Sequence, residues 1–209
     1  MVNIKSDYHP QWTINRINFI HKHYPEEYFN GKRVLELAPC RGDIGGHLQS
    51  LGADVHLLEG RFDNIYNIRQ LYPTVVVEHA DLDTPDWIWG DFDIIINFGL
   101  YYHLEKYHEQ HLINCINHSK LMFFDTVVYD KCEPSIFYRR EIGYDQSLSG
   151  IGGTPTTSYV ENIFDNLNVK YEKYTDRQLN SGLHHYDWED TCSEIFDEYS
   201  RRMWIIEND

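Results

Sequence analysis

Short apolar runs recur along the chain and alternate with stretches whose apolar residues fall on one side of a helix. Arg33–Leu37, Asp54–Leu58, Thr74–Val77, Phe92–Asn97 and Leu121–Val128 have the length and aliphatic content of buried strands. Trp12, Ile17, Ile20 and Tyr24 predict an amphipathic helix over residues 10–29, and residues 105–119 predict another after the fourth strand. A further helix is expected near Thr157 or Ser158, with Ser158 and Glu161 as a capping pair and Val160, Ile163, Phe164 and Leu167 as its apolar face. Val169–Tyr174 and Arg202–Ile206 complete a set of seven strands. Strand and helix in alternation predict an α/β fold with a mostly parallel sheet. Two segments break the rhythm, about 129–154 and 176–200, and read as irregular insertions on the ligand side of the sheet.

The first strand runs straight into small residues at alternate positions, Ala38, Cys40 and Gly42, and then into a helix through Ile44, His47, Leu48 and Leu51. Such a turn lets a nucleotide-like ligand approach the main chain. Acidic residues mark three successive strand ends: Glu36 in the first, Glu59 closing the second, 17 residues beyond Gly42, and Asp81 with Leu82 after the third. A carboxylate in the second of these places suits ribose hydroxyls.

On these residues the chain resembles the class I, Rossmann-like, S-adenosylmethionine-dependent methyltransferases, and the likeness covers nearly its whole length. The resemblance implies a single-domain sandwich over residues 1–209 whose last strand is antiparallel, with the helix at 10–29 able to close over the cofactor. It implies S-adenosylmethionine as cofactor, with Glu36 near the methionine amine, Glu59 on the ribose, and Asp81 with Leu82 at the adenine. The candidate cofactor-binding set is Glu36, Ala38, Cys40, Gly42, Glu59, Gly60, Asp81, Leu82, Asn97 and Phe98. The family usually has Gly-x-Gly-x-Gly in the turn, and here Ala38 and Cys40 take the first two places.

Length and charge narrow the partners. At 209 residues the chain can bury a sizeable core as one domain, and a formal charge of −15 disfavours a nucleic-acid backbone as partner. No run approaches the roughly 20 apolar residues of a membrane span, and no apolar signal core opens the chain, so a soluble protein is expected. Cys40, Cys115, Cys132 and Cys192 show no C-x-x-C spacing, which suggests neither a zinc knuckle nor a disulfide framework and favours a reducing, cytoplasmic setting. Oligomeric state is not legible.

Methyl transfer to a hydroxyl is helped by a general base, and histidine is the commonest. His103 follows the end of the fourth strand, where ligands bind in open α/β sheets, and competes with a reading as a helix-start histidine bonded to a carbonyl. His184 and His185, with Asp187, form a second cluster that reads equally as a solvated loop pinned by Tyr186 and Trp188. Tyr101, Tyr102, Arg140, Tyr186 and Trp188 are candidates for the acceptor pocket, with one of the two adjacent tyrosines facing the core; Arg139 and Arg140 suit a carboxylate or phosphate but also a surface ion pair. Asp125 ends the fifth strand as a further base or ligand candidate. His108, His111, Cys115 and His118 share a helical stripe, better explained by packing than by metal, and no metal is expected.

The reading is methyl transfer to an oxygen, or secondarily a nitrogen, of a small polar molecule such as a sugar or metabolite. The alternatives are an inactive cofactor-binding or scaffold protein of the same fold, and an NAD-dependent oxidoreductase. The last requires a small residue at position 43, where this chain has Asp43.

Overall fold

The computed structural model describes residues 4–194 and 196–208. Its strands are β1 (Arg33–Leu37), β2 (Asp54–Glu59), β3 (Val76–His79), β4 (Phe92–Phe98), β5 (Ser119–Val127), β6 (Ile136–Arg140), β7 (Ile151–Pro155), β8 (Lys170–Tyr174) and β9 (Arg201–Glu207). The helices are α1 (Pro10–His23), α2 (Asp43–Ser50), α3 (Phe62–Leu71), α4 (His108–Asn117) and α5 (Thr157–Asn166). One seven-stranded sheet runs in the order β3-β2-β1-β4-β5-β9-β8. β1 to β5 pair in parallel, and β9 lies antiparallel to both β5 and β8. This is the mostly parallel sheet with an antiparallel last strand that the sequence predicts.

Alternate residues of each strand feed opposite faces of the sheet. Val34, Val55, Leu57, Ile94 and Ile96 pack with Ile17 and Ile20 of α1, Ile44 and Leu48 of α2, and Ile65 and Ile68 of α3. Leu35, Leu37, Ile95, Met122 and Phe124 pack on the other face with Leu112 and Ile116 of α4 and Val160, Ile163 and Phe164 of α5. With both faces covered, the parallel strands are apolar throughout, which is why they read as continuous runs.

Several boundaries differ from expectation for identifiable reasons. The first helix stops at His23 instead of running to residue 29, because Tyr24 precedes Pro25 and is extended (φ −132°, ψ 120°); a 3-10 turn over Glu26–Phe29 follows. The third strand lies two residues later than predicted. The fourth helix starts at His108, since the backbone N–H groups of Glu105, Lys106 and Tyr107 are all taken by the Asp83 carboxylate. Thr156, not Ser158, caps α5: its side-chain oxygen accepts from Tyr159 N at 3.1 Å, while Ser158 Oγ donates to Cys132 O.

The insertion at 129–154 is not irregular. It folds into an antiparallel ribbon of β6 and β7, with Tyr138 opposite Gly153 and a tip over residues 141–150. The second insertion is tied to the body by Tyr186, fully buried, and to the first by Asp130, which accepts from Thr191 and Cys192 N–H. Cys132 and Cys192 are disulfide-bonded, with Cα atoms 5.1 Å apart. This corrects the expectation of unpaired cysteines and removes the spacing argument for a reducing compartment, since such bonds persist in oxidising surroundings. The pair is 60 residues apart in sequence, a separation no local pattern reveals. No helix among the described residues is long and apolar enough to cross a membrane.

Because the bond closes a long loop, reduction should lower stability by about 2–4 kcal/mol. Urea midpoints with and without reductant check this, and maleimide labelling of the denatured chain should find two free thiols before reduction and four after it.

Candidate functional site

The turn after β1 is built from left-handed residues: Ala38 (φ 47°), Cys40 (φ 54°) and Gly42 (φ 74°). The conformation costs a residue bearing a Cβ about 1–2 kcal/mol, and local bonds hold it. Ala38 N donates to Leu58 O at 2.8 Å, Cys40 N to Glu59 Oε2 at 3.1 Å, and Gly42 N to Pro39 O at 2.9 Å. Substituting Ala and Cys for glycine has therefore left the turn in its glycine-like shape.

Behind the turn, Glu36 is buried on the first helical turn of α2. Gly45 N donates to Glu36 Oε2 at 2.7 Å, and a Cβ on Gly45 would sit 2.6 Å from that oxygen, so the glycine is what admits the carboxylate. Burial, only partly opposed by the Gly45 bond and reinforced by Asp43 and Glu59, pushes the Glu36 carboxyl up to about 8. Glu59 also accepts from Arg61 N at 2.9 Å; burial raises its carboxyl above the usual range despite the N–H bonds from Arg61 and Cys40. Burial likewise pushes the Cys40 thiol up to about 12, which keeps it a neutral wall.

On the far side of the strand ends, His103 Nδ1 meets Glu141 Oε2 at 2.6 Å. Glu141 comes from the tip of the β6–β7 ribbon, is buried, and also accepts from Ser147 N at 2.9 Å. Burial opposes its charge, but the bonds from His103 and Ser147 and the nearby Arg139 hold its carboxyl below the usual range. A Cβ on Gly152 would lie 2.4 Å from Glu141 Oε1, so the glycine beside it in β7 makes room for the pair. The arrangement is a histidine with one nitrogen fixed by a buried carboxylate and the other left for chemistry.

Beneath this lies a second buried cluster. Asp125 at the end of β5 accepts from Arg16 Nη2 at 2.9 Å and from Arg201 Nη1 at 2.8 Å, and its Oδ2 also accepts the Tyr186 hydroxyl. Burial works against its charge, yet the two guanidinium groups and the Tyr186 hydroxyl hold it below the ordinary range. Burial first, then the fields of Arg201 and Arg16, push the His184 imidazole down to about 4.

A cavity of about 420 Å³ joins these parts, within the range of small-molecule sites. Of the sequence-predicted residues it brings together Glu36, Ala38, Cys40, Glu59, Gly60, Asp81, Leu82 and Phe98, with Tyr102, His103 and His184. The others lie elsewhere. Gly42 caps α2 behind the turn, against Ile68 and Leu57. Asn97 is buried beneath the strand ends, its Nδ2 donating to His111 Nε2 at 3.0 Å. Tyr101 is the tyrosine that faces the core, edge-on to Phe124, and Tyr186 is spent on Arg16 and Asp125. His185 bonds Ser200 and Asp197 away from the cavity, Trp188 donates to Arg201 O beneath the Arg202 guanidinium, and Arg140 is exposed on the ribbon. In the histidine stripe, His108 Nε2 donates to Gly153 O and His111 Nδ1 to Leu82 O; burial lowers both imidazoles, so these two neutral rings tie α4 to β7 and to the segment after β3.

Sequence reasoning missed Glu141, Arg201, Asp83 and the pair Tyr8–Asp145, whose hydroxyl and carboxylate join the N-terminal segment to the ribbon tip at the cavity. Glu141 had one faint signal, Gly152, whose missing side chain leaves room for the carboxylate.

No family model matches the chain, and neither does any curated protein. Solved structures do. The N-terminal domain of EvdMO1, crystallised in the presence of SAH and D-fucose, superposes with a TM-score of 0.66 at 17% identity, covering 97% of this chain and 84% of that one. An S-adenosylmethionine-dependent methyltransferase from Mesorhizobium loti gives 0.65 at 14% identity, covering 93% and 98%. The glycopeptide N-methyltransferase MtfA complexed with SAH gives 0.62 at 10% identity, covering 96% and 90%. The fold is that of the class I S-adenosylmethionine-dependent methyltransferases.

The raised Glu36 carboxyl makes stability pH-dependent. Between its unfolded value near 4.5 and about 8 the native state holds a proton that the unfolded chain has lost, so the contribution is full below 4.5 and disappears as pH rises through 8. Glu36→Gln should flatten that fall: urea midpoints of the ligand-free protein at pH 6 and 9 should drop less in the variant than in the wild type. Parallel drops would remove Glu36 as the cause.

Proposed function

We propose that this protein transfers a methyl group from S-adenosylmethionine to an oxygen, secondarily a nitrogen, of a small polar molecule such as a sugar or metabolite. One observation carries the reading: within this fold, a single cavity holds the carboxylates of Glu36, Glu59 and Asp81 and, across from them, a histidine oriented by a buried carboxylate. The cofactor, when bound, supplies an activated methyl group on a sulfonium, which leaves the protein to position an acceptor and manage its proton.

The residues fit that cofactor. Glu36 is a buried carboxylate without a cationic partner, and an ammonium group beside it would offset its burial. Glu59 takes two backbone N–H groups, which fixes its carboxylate for hydroxyls, and Leu82 supplies an apolar wall next to Asp81. On the acceptor side, His103 donates its Nδ1 proton to Glu141, so Nε2 presents a lone pair to take the acceptor's proton, and Glu141 stabilises the imidazolium that forms. Tyr102, at the same wall, shapes the acceptor's seat.

Support for a small acceptor comes from the cavity's size, from the ribbon tip that leans over it, and from the formal charge of −15. A Cβ on Gly60 would lie 2.6 Å from Leu148 Cδ1, so the tip packs directly on the end of β2. The sugar present with EvdMO1 favours the same class. A dinucleotide suits the site less well. Asp43 sits in the first turn of α2, buried and bonded to Lys5 N and the Tyr72 hydroxyl, where a pyrophosphate would need a helix N-terminus free of negative charge.

Calorimetric titration with S-adenosylmethionine, SAH and, as a control, NAD tests the reading. The first two should bind and NAD should not; binding of none would make the scaffold reading the better one. Glu59→Ala should weaken SAH by about 1–3 kcal/mol. His103→Asn should cut turnover about 100-fold with SAH affinity unchanged, and Glu141→Gln, which keeps the bond but not the charge, about tenfold. Unaltered turnover in His103→Asn would hand the role of base to His184, or to the acceptor itself.

A further inference from the structure

Charge is unevenly matched at the acceptor end of the cavity. Arg201, the first residue of β9, lines the cavity and is only 3% exposed. Its Nη1 donates to Asp125, its Nη2 to the Tyr102 hydroxyl at 3.1 Å, and its Nε is buried without a partner. Arg16, fully buried on the other side of Asp125, shares that carboxylate. Among the described residues Asp125 is the only carboxylate paired with either guanidinium, so two buried positive charges face one negative charge. The hydroxyl of Tyr186 does not make up the difference: burial holds its pKa well above the ordinary value. His184, on the same cavity wall, is kept neutral by burial first and then by the fields of Arg201 and Arg16.

Over the whole chain negative charge is in excess, and surface cations such as Lys22 and Lys120 have carboxylates within 3 Å, whereas this surplus is buried. An unmatched charge in the interior is costly, unless something brought to the site completes it. The cavity's other end already has its own requirement of the opposite sign, at Glu36. The arginine pair singled out from sequence, Arg139 and Arg140, plays no part here: Arg139 is paired with Glu198, and Arg140 is exposed away from the cavity.

We propose that the acceptor carries a carboxylate, as a sugar acid or hydroxy acid does, and that Arg201 binds it while the hydroxyl to be methylated lies toward His103. The inference rests on the methyl-transfer reading and names its substrate class. A carboxylate suits a single guanidinium whose Nε has no partner and whose Nη2 meets only the Tyr102 hydroxyl, because its two oxygens match the planar donor geometry. Phosphate, with close to two negative charges near neutral pH, would leave a negative excess where a single positive charge is surplus.

The test is calorimetry on protein saturated with SAH, using matched pairs: acetate against ethanol, glycerate against glycerol, and D-galacturonate against D-galactose, with D-galactose 6-phosphate as the phosphate probe, all at constant ionic strength. At least one carboxylate should bind about tenfold or more tightly than its neutral partner, and Arg201→Gln should abolish that preference while leaving SAH affinity within about twofold, since the contact is made to the acceptor alone. His184→Glu guards against an Arg201 variant that fails to fold. It supplies the missing negative charge from within the chain, so it should raise the melting temperature and also abolish the preference. Equal affinity within every pair, binding of the phosphate alone, or a preference that survives both substitutions would overturn the proposal. So would a folded Arg201→Gln protein with weakened SAH binding, which would assign the charge to the cofactor's own carboxylate. Failure of the wild type to bind SAH at all would instead overturn the methyl-transfer reading.

Discussion

Asp125 and the two arginines that share it hold the acceptor side of this molecule together. Arg16 comes from α1, Arg201 from β9 and Tyr186 from the second insertion, and all three reach one carboxylate at the end of β5. Arg16 and Asp125 lie far in sequence from each other and from Tyr186 and Arg201, and each group needs the others to be buried. Removing the shared carboxylate from such a buried set would cost about 3–5 kcal/mol, because the two guanidinium groups left behind would have neither water nor a counter-ion. The interaction therefore fixes where α1 crosses the strand ends, and with it where Trp12 and His9 meet the cavity.

The same principle operates at both ends of the site with opposite sign. At the β1 end a carboxylate is buried with only a backbone N–H for company, and its proton affinity rises. At the β5 end a positive charge is buried in excess, and the neighbouring imidazole loses its proton affinity. Each is a state of high energy in the ligand-free protein that a partner of the right charge would relieve. Between the two stands the His103–Glu141 pair, matched and satisfied, which suits a group that must move a proton without being consumed by binding.

The sheet was legible from sequence because its strands are buried on both faces and therefore announce themselves as apolar runs. The carboxylates of Glu36, Glu59 and Asp81 were legible because strand ends in such a sheet share one edge. What escaped was non-local or masked. In the ribbon, β6 has only intermediate and exposed positions and β7 is buried at Gly152–Pro155, so neither strand has an alternation to read. Glu141 lies 38 residues from His103, and the disulfide joins cysteines 60 apart. Arg201 and Arg202 are both buried within β9, and no role was read for either, although the expected strand Arg202–Ile206 already carried one of them into the sheet. The first helix was drawn too long because its apolar spacing continues past Pro25, although that proline was itself the stop signal.

Ala38 and Cys40 show how a departure from a family pattern can be absorbed. Glycine is favoured in the turn because the backbone there is left-handed, and a side chain at such a position raises the energy without altering which N–H groups point inward. Here the Glu59 carboxylate accepts the Cys40 N–H, and Leu58 O accepts that of Ala38, so the bonds that define the turn outlast the loss of glycine. Gly45 is a different case. Its Cβ would lie 2.6 Å from the Glu36 carboxylate and 2.7 Å from Leu57 Cδ2, closer than either contact allows. The glycines of this segment thus divide into those whose conformation can be imposed on another residue at a cost in stability, and one whose absence of a side chain is itself part of the site.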